Sequence, residues 1–241
     1  MEFPIGIAAN VAAVIIGGLL GALMKKFLPP RVVEMLYMTF GFSAISIGIV
    51  SVVKLSSLTV VVLSVIFGGV IGELCRIDDG IGKLIRFSMS KIDKRQNGDK
   101  AQFELLGLAM AIICFSGTGI FGALSEGLDG DHSILLAKSV LDIFTVLVFA
   151  AQTGWFVTLF SIPQTVVFTA FFLLASLIAP ILTVEMIANF KAVGGVMTMI
   201  VGYNMIAGQV GLKKVRVLNV IPSLALAVVF SWAAGFLPFA I

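Results

Sequence analysis

Apolar runs of about twenty residues recur along almost the whole chain, and each is what a helix needs to cross a hydrocarbon core of about 30 Å. In such a core the backbone must satisfy its own hydrogen bonds, so only helices or closed barrels can span it. The runs are continuous rather than alternating, which selects helices. The pattern predicts spans at 5–24, 34–53, 57–75, 105–125, 134–153, 161–182, 186–207 and 216–238. Pro29 and Pro30 break the chain after the first, Pro163 and Pro180 bound the sixth, and Pro222 and Pro238 fall in the eighth. The expected fold is therefore an all-α integral membrane protein of about eight transmembrane helices, with residues 1–241 as a single membrane domain. Seven is the alternative, because the glycine-rich FSGTGIFGALSEG of the fourth span could dip and return. Only 12% of the residues are charged, against about 25% in soluble domains.

The basic residues give an orientation. If the loop at 76–104 is cytoplasmic, the loops on that side hold Lys25, Lys26, Arg31, Arg76, Lys83, Arg86, Lys91, Lys94, Arg95, Lys100, Lys213, Lys214 and Arg216, 13 of the 16 Lys and Arg residues. That asymmetry is what the positive-inside rule expects, and it turns both termini outward. The opening MEFPIGIAAN lacks a basic n-region and leads into a run of full-span length, so it reads as a first transmembrane helix rather than a cleaved signal. A net charge of +3 spread over loops is no nucleic-acid footprint. In the 76–104 loop Ile81, Leu84, Ile85, Ser88 and Ile92 share one helical face. Lys83, Arg86, Lys94 and Arg95 lie largely elsewhere, which suits either an interfacial helix on anionic lipid or a solvated linker.

Function is concentrated in the span LAKSVLDIFTVLVFAA, where Lys138 and Asp142 stand one helical turn apart on one face. Each would cost roughly 2.5–3.5 kcal/mol at a bilayer centre. Such residues face a partner, a cavity or an ion path, and the alternative here is an ion pair joining two helices. Thr145 and Gln152 extend the stripe. Upstream, Glu126, Asp129 and Asp131 form an acidic external vestibule, and Asp131 is also placed to cap the charged span. His132, the only histidine, is either a pH-sensing group or a plain loop residue. Glu73, Asn10, Asn204 and Asn219 complete the polar groups at or within the spans, as ion or solute ligands or as interhelical hydrogen-bonding groups.

Gly41 to Gly48 (GFSAISIG) resembles Gly195 to Gly202 (GVMTMIVG), and VLSVI at 62–66 answers VLNVI at 217–221, aligning Ser64 with Asn219. The two stretches, about 34–75 and 186–238, run in opposite directions across the membrane, so the repeat is inverted, as in many secondary transporters. Gly17 with Gly21, and Gly68 with Gly72, are small-xxx-small pairs that suit close packing inside one subunit or a homo-oligomer face. Gly117-x-Gly119-x-x-Gly122 has the letters of a dinucleotide fingerprint but no βαβ context, and fits a broken span instead. Cys75 and Cys114 form no CxxC and read as reduced packing residues. No HExxH, GxSxG or nucleophile–base pair is visible, so no catalytic residue, metal site or cofactor is expected.

The segments IIGGLLG, GGVIGE followed by RID, GDHSILLAKSVLD and VGG…GYN…GLKKVRVLNVIP together resemble a bacterial family of multi-spanning membrane proteins, family 554 of the domains of unknown function. The resemblance covers essentially the whole chain. It implies a multi-pass protein of the bacterial cytoplasmic membrane, of transporter type and without an assigned substrate, and it groups Asp131, His132, Lys138 and Asp142 in one region. The function expected is transport or channelling of a small ion or polar solute along the Lys138/Asp142 helix, with the lipid bilayer as the other partner. The alternative is a non-transporting membrane scaffold or sensor whose cytoplasmic loop binds lipid or a partner.

Overall fold

The computed structural model of the protein describes residues 4–24, 29–81, 83, 87, 106, 109, 110, 113, 114 and 116–235. The long helices among them are α1 (Ile5–Leu23), α2 (Pro30–Val52), α3 (Leu58–Cys75), α4 (Gly117–Asp129), α5 (Ser133–Thr153), α6 (Ser161–Ile178), α7 (Val184–Val210) and α8 (Pro222–Ala234). Short 3-10 turns precede α6 (Trp155–Phe160), follow it (Ala179–Ile181) and precede α8 (Val217–Val220). Seven helical stretches of the described residues are long and apolar enough to cross a membrane. The protein is an all-α membrane protein. Lys25, Lys26 and most of the 76–104 loop, including the face expected at Leu84, Ile85, Ser88 and Ile92, lie outside the described residues.

Helix ends follow local chemistry. Pro30 and Pro222 occupy the first turns of α2 and α8, where a missing N–H is harmless and the fixed φ helps; α2 therefore starts ahead of the expected residue 34. Ser57 and Thr183 cap α3 and α7 through their side-chain oxygens. The fourth expected span is two pieces. Leu106, Ala109, Met110, Ile113 and Cys114 are helical, Ser116 is extended (φ −69°, ψ 139°), and α4 begins afresh with the Ser116 side chain accepting the Gly119 N–H. Serine and two nearby glycines favour a cap over a helix interior. At its other end α4 runs to Asp129 before Gly130 (φ 74°) stops it, so Glu126 and Asp129 are helical residues rather than loop.

The helices sort into two bundles. One joins α1, α4, α5 and α6, with its main contacts between α1 and α5 and between α4 and α6. The other joins α2, α3, α7 and α8, chiefly through α2 on α7 and α8 on α3. They meet along two seams, α4 against α7 and α2 against α5, where Phe121 faces Phe190 and Phe40 faces Phe144. In the second bundle α2 and α7 lie antiparallel with backbones almost touching. A Cβ on Gly48 would come 2.5 Å from the Gly195 carbonyl oxygen, and one on Gly41 would come 2.8 Å from that of Gly202. On α3 a Cβ at Gly72 would meet the Asn219 carbonyl oxygen at 1.8 Å.

Backbone atoms cannot give way as a flexible side chain can. Gly72→Ala is therefore expected to cost about 1–3 kcal/mol through overpacking. Gly69→Ala, where a Cβ has nothing within 4 Å, should be neutral or stabilising by up to about 1 kcal/mol. Thermal unfolding of both variants in detergent checks the contrast.

Candidate functional site

Four helices of the first bundle converge on one buried polar layer. On α5, Lys138 and Asp142 form the expected ion pair, 3% and 4% exposed. Asp142 is nine residues into α5, about 14 Å along its axis, close to the middle of the span. Asn10 of α1, fully buried, donates from Nδ2 to Asp142 Oδ2 at 2.8 Å. Gln164 of α6 donates from Nε2 to Asn10 Oδ1 at 2.5 Å. The fourth wall is the start of α4. Lys138 Cε lies 2.9 Å from where a Gly119 Cβ would sit, and Lys138 Nζ is 5.9 Å from the centre of the Phe168 ring. Two oxygens here, Gln164 Oε1 and Thr118 Oγ1, are buried without a hydrogen-bond partner.

The layer is sealed on both sides. Ile7, Ala123, Leu135, Phe168 and Phe172 cluster between it and Glu126. A larger cluster around Val14, Ile113, Cys114, Val146, Phe149 and Phe160 lies on the other side. α1 (Ile7, Asn10, Val14) and α5 (Leu135, Lys138 and Asp142, Val146) thus each present an apolar turn, a polar stretch and another apolar turn in register.

The remaining predicted residues fall into two groups at opposite ends of the molecule. At one end Glu126, 5% exposed, accepts the Gly6 and Ile7 N–H groups at 2.6 and 3.2 Å. It caps α1, as the positive end of a helix dipole favours, and also lines a cleft of about 450 Å³ with Asp129, Phe172 and Ser176. Asp131 accepts the Ser133 N–H at 3.1 Å, so it does serve the start of α5. It also pairs with Lys191 of α7 at 2.8 Å, beside Asp129 at 2.7 Å. A second cleft, about 230 Å³, lies between α2, α5 and α7 over this pair. His132 sits at the same end with Nδ1 3.0 Å from the Gly130 carbonyl oxygen, away from Lys138 and Asp142.

At the other end Glu73 accepts from Arg216 and from Asn219 Nδ2, each at 2.6 Å. Asn219 Oδ1 takes the Asp78 N–H at 2.7 Å. Asn204 holds the Val215 backbone through both its amide atoms. None of these three reaches the central layer. Thr145 is buried one turn beyond Asp142, but Gln152 is exposed and donates to its own helix at Val148. Ten residues from Asp142 to Gln152 is 2.8 turns, a rotation of about 80° off the face, so the stripe ends at Thr145. Gln164, Thr118 and the capping role of Glu126 were not predicted. The Gln-Thr pair beside Pro163 inside an apolar span was the signal available for Gln164.

Two outcomes follow. Removing one charge of the central pair leaves the other buried and alone, so Asp142→Asn or Lys138→Met should each cost about 3–5 kcal/mol, and the double variant much less; thermal unfolding in detergent reads this. At the Lys191 end, burial raises the Asp131 carboxyl, but hydrogen bonds from Lys191 and Ser133 outweigh it and hold the pKa at about 2, below the ordinary 3.8. A lowered carboxylate contributes stability above its unfolded pKa and loses it as pH falls towards the folded one. Stability should therefore drop between about pH 4 and pH 2, and Lys191→Met should flatten that limb in unfolding curves taken across the range.

The chain resembles known proteins over nearly its full length. A family described as protein of unknown function (DUF554) matches residues 5–232. The uncharacterized protein YqgA of Escherichia coli (strain K12) is 36% identical over 236 residues, covering 96% of this chain and 99% of that protein. The uncharacterized membrane protein YdfK of Bacillus subtilis (strain 168) is 26% identical over 229 residues, covering 91% of this chain and 92% of that one. No solved structure matches at a significant level. The chain belongs to the DUF554 family of proteins of unknown function.

Proposed function

We propose that the protein transports a small ion or polar solute across the bacterial cytoplasmic membrane, with a path through the first bundle past Asp142. One observation carries the reading: a charged and amide-rich layer at mid-span, set beside a break in a helix and closed above and below by apolar side chains. Non-helical backbone at membrane depth occurs where it is buried in protein or lines a path, and broken helices supply ion and substrate sites in many carriers. The sealed layer is what an occluded state of such a carrier requires. Asp142 is then the cation ligand or proton acceptor and Lys138 its charge partner. The Glu126–Asp131 end faces outward with both termini, and the Glu73 end faces the cytoplasm. The inverted repeat of 34–75 and 186–238 belongs to this reading. It makes Gly41 equivalent to Gly195 and Gly48 to Gly202, and the reciprocal contacts of these glycines are those a two-fold relation in the membrane plane would produce. No catalytic step is part of it.

A second reading, a non-transporting scaffold or sensor, is favoured by the closed Lys138–Asp142 pair. Neither cleft reaches that pair.

The two readings part in liposomes. The variant carrying both Lys138→Met and Asp142→Asn has no buried charge to destabilise it, so a loss of activity is not a loss of fold. Flux of sodium, potassium, protons or chloride in the wild type, absent in this variant, supports transport. Equal flux in both proteins would move the path away from Asp142, and none above protein-free vesicles for any ion or for small polar solutes would favour the scaffold.

A further inference from the structure

The carboxylate of Asp142 sets the direction of every hydrogen bond in the layer. A carboxylate only accepts, so Asn10 must turn its NH2 group towards it. That leaves Asn10 Oδ1 facing Gln164, which must offer its own NH2 group in turn. Amide orientation is therefore fixed by the charge at the head of the chain. The group left over at the far end is Gln164 Oε1, an acceptor, fully buried and unpartnered. An unmet acceptor in an apolar surrounding is costly, and only a cation or a hydrogen donor can meet it. Asn10 bridges the two residues, so the Asp142 carboxylate and the Gln164 amide are separated by one side-chain amide and its two hydrogen bonds, 2.8 and 2.5 Å long.

Lys138 occupies the carboxylate now, from a stem that runs along Gly119 beside Phe168. We propose that the layer is a binding site for a small monovalent metal cation, sodium in the first instance, at which Lys138 is a tethered competitor. The donors are hard oxygens, which suit alkali and alkaline-earth ions rather than thiolate-seeking metals. They carry one negative charge, so a single positive charge is neutralised and a double one is not. When the cation takes Asp142 and Asn10 gives way so that Gln164 Oε1 joins it, the lysine ammonium withdraws along the Phe168 face, an aromatic surface that attracts cations. The proposal rests on reading the layer as part of a transport path and gives that path its ion.

The experiment is binding of radioactive sodium to purified protein in detergent, at constant ionic strength with choline as the replacement cation. Lys138→Met should bind sodium about tenfold tighter than wild type or more, since a site filled by its own lysine nine-tenths of the time binds about ten times more weakly. Adding Gln164→Leu or Asp142→Asn to it should abolish the binding. A folded Lys138→Met protein that takes up no sodium at millimolar concentrations overturns the proposal. If that variant does not fold, the wild type carries the test through its unfolding midpoint. A rise in sodium over choline that is absent in Gln164→Leu supports the site, and equal midpoints overturn it. Sodium bound without any flux would remove the transport reading and leave the site. Flux of another solute without sodium binding would do the reverse.

Discussion

Lys138 and Asp142 are buried about 8 and 14 Å from the start of α5, where either charge alone would cost several kcal/mol. Much of the first bundle can be derived from making that burial tolerable. Their mutual attraction is one part. Asn10 supplies a second donor to the carboxylate, and Gln164 fixes Asn10. These contacts tie α1 and α6 to α5 at a single depth. The stem of Lys138 needs room, and Gly119 provides it: any side chain there would run into Lys138 Cε and the Phe168 ring. Gly119, beside the break in the fourth span, is thus a consequence of the charged fifth one.

The ends of the bundle are held by a different economy of charge. Glu126 is buried, yet it needs no basic partner, because the first N–H groups of α1 provide its hydrogen bonds. A helix start is a partial positive charge that brings no side chain with it. The remaining charge pairs are conventional, one between the bundles and one within the second. Lys191 spans from α7 to Asp129 and Asp131 at the α4–α5 turn, and Arg216 spans from the α8 approach to Glu73. The exposed Arg216–Glu73 pair adds little stability of its own, but with Asn219 and the Asp78 N–H it forms a small network.

The helices were legible because hydropathy is a local property of the sequence. Lys138 and Asp142 were legible because charge inside an apolar run is conspicuous and a spacing of four puts both on one face. Asn10 was visible as a polar residue in a span, but not as the link between Asp142 and Gln164. That link is made by packing of helices more than a hundred residues apart, which no local pattern encodes. The same holds for Asn204 and Asn219. Both bind backbone or a neighbouring carboxylate at the Glu73 end, and their depth along a helix could be read but their neighbours could not. Gln152 failed for a simpler reason, since ten residues do not return a helix to the same face.

Glycine-lined helices invite the idea of sliding surfaces, and the packing argues against placing a sliding step between α2 and α7. Their glycines bring a carbonyl oxygen of each helix to within 2.4–2.8 Å of the other's Cβ position, and surfaces that interlock so closely resist translation. Both helices also belong to the same bundle, so their separation would open the interior of one half rather than a route between halves. If the proposed transport moves one bundle against the other, the seams of α4 with α7 and α2 with α5 are the better place for it. They rest on aromatic contacts such as Phe121–Phe190 and Phe40–Phe144, which can re-stack at small cost, and the cleft of about 230 Å³ already lies along one of them. Lys191 crosses this boundary to Asp129 and Asp131. Any rigid-body step of one bundle against the other must therefore break that contact, while the buried layer around Asp142, wholly inside the first bundle, can travel intact.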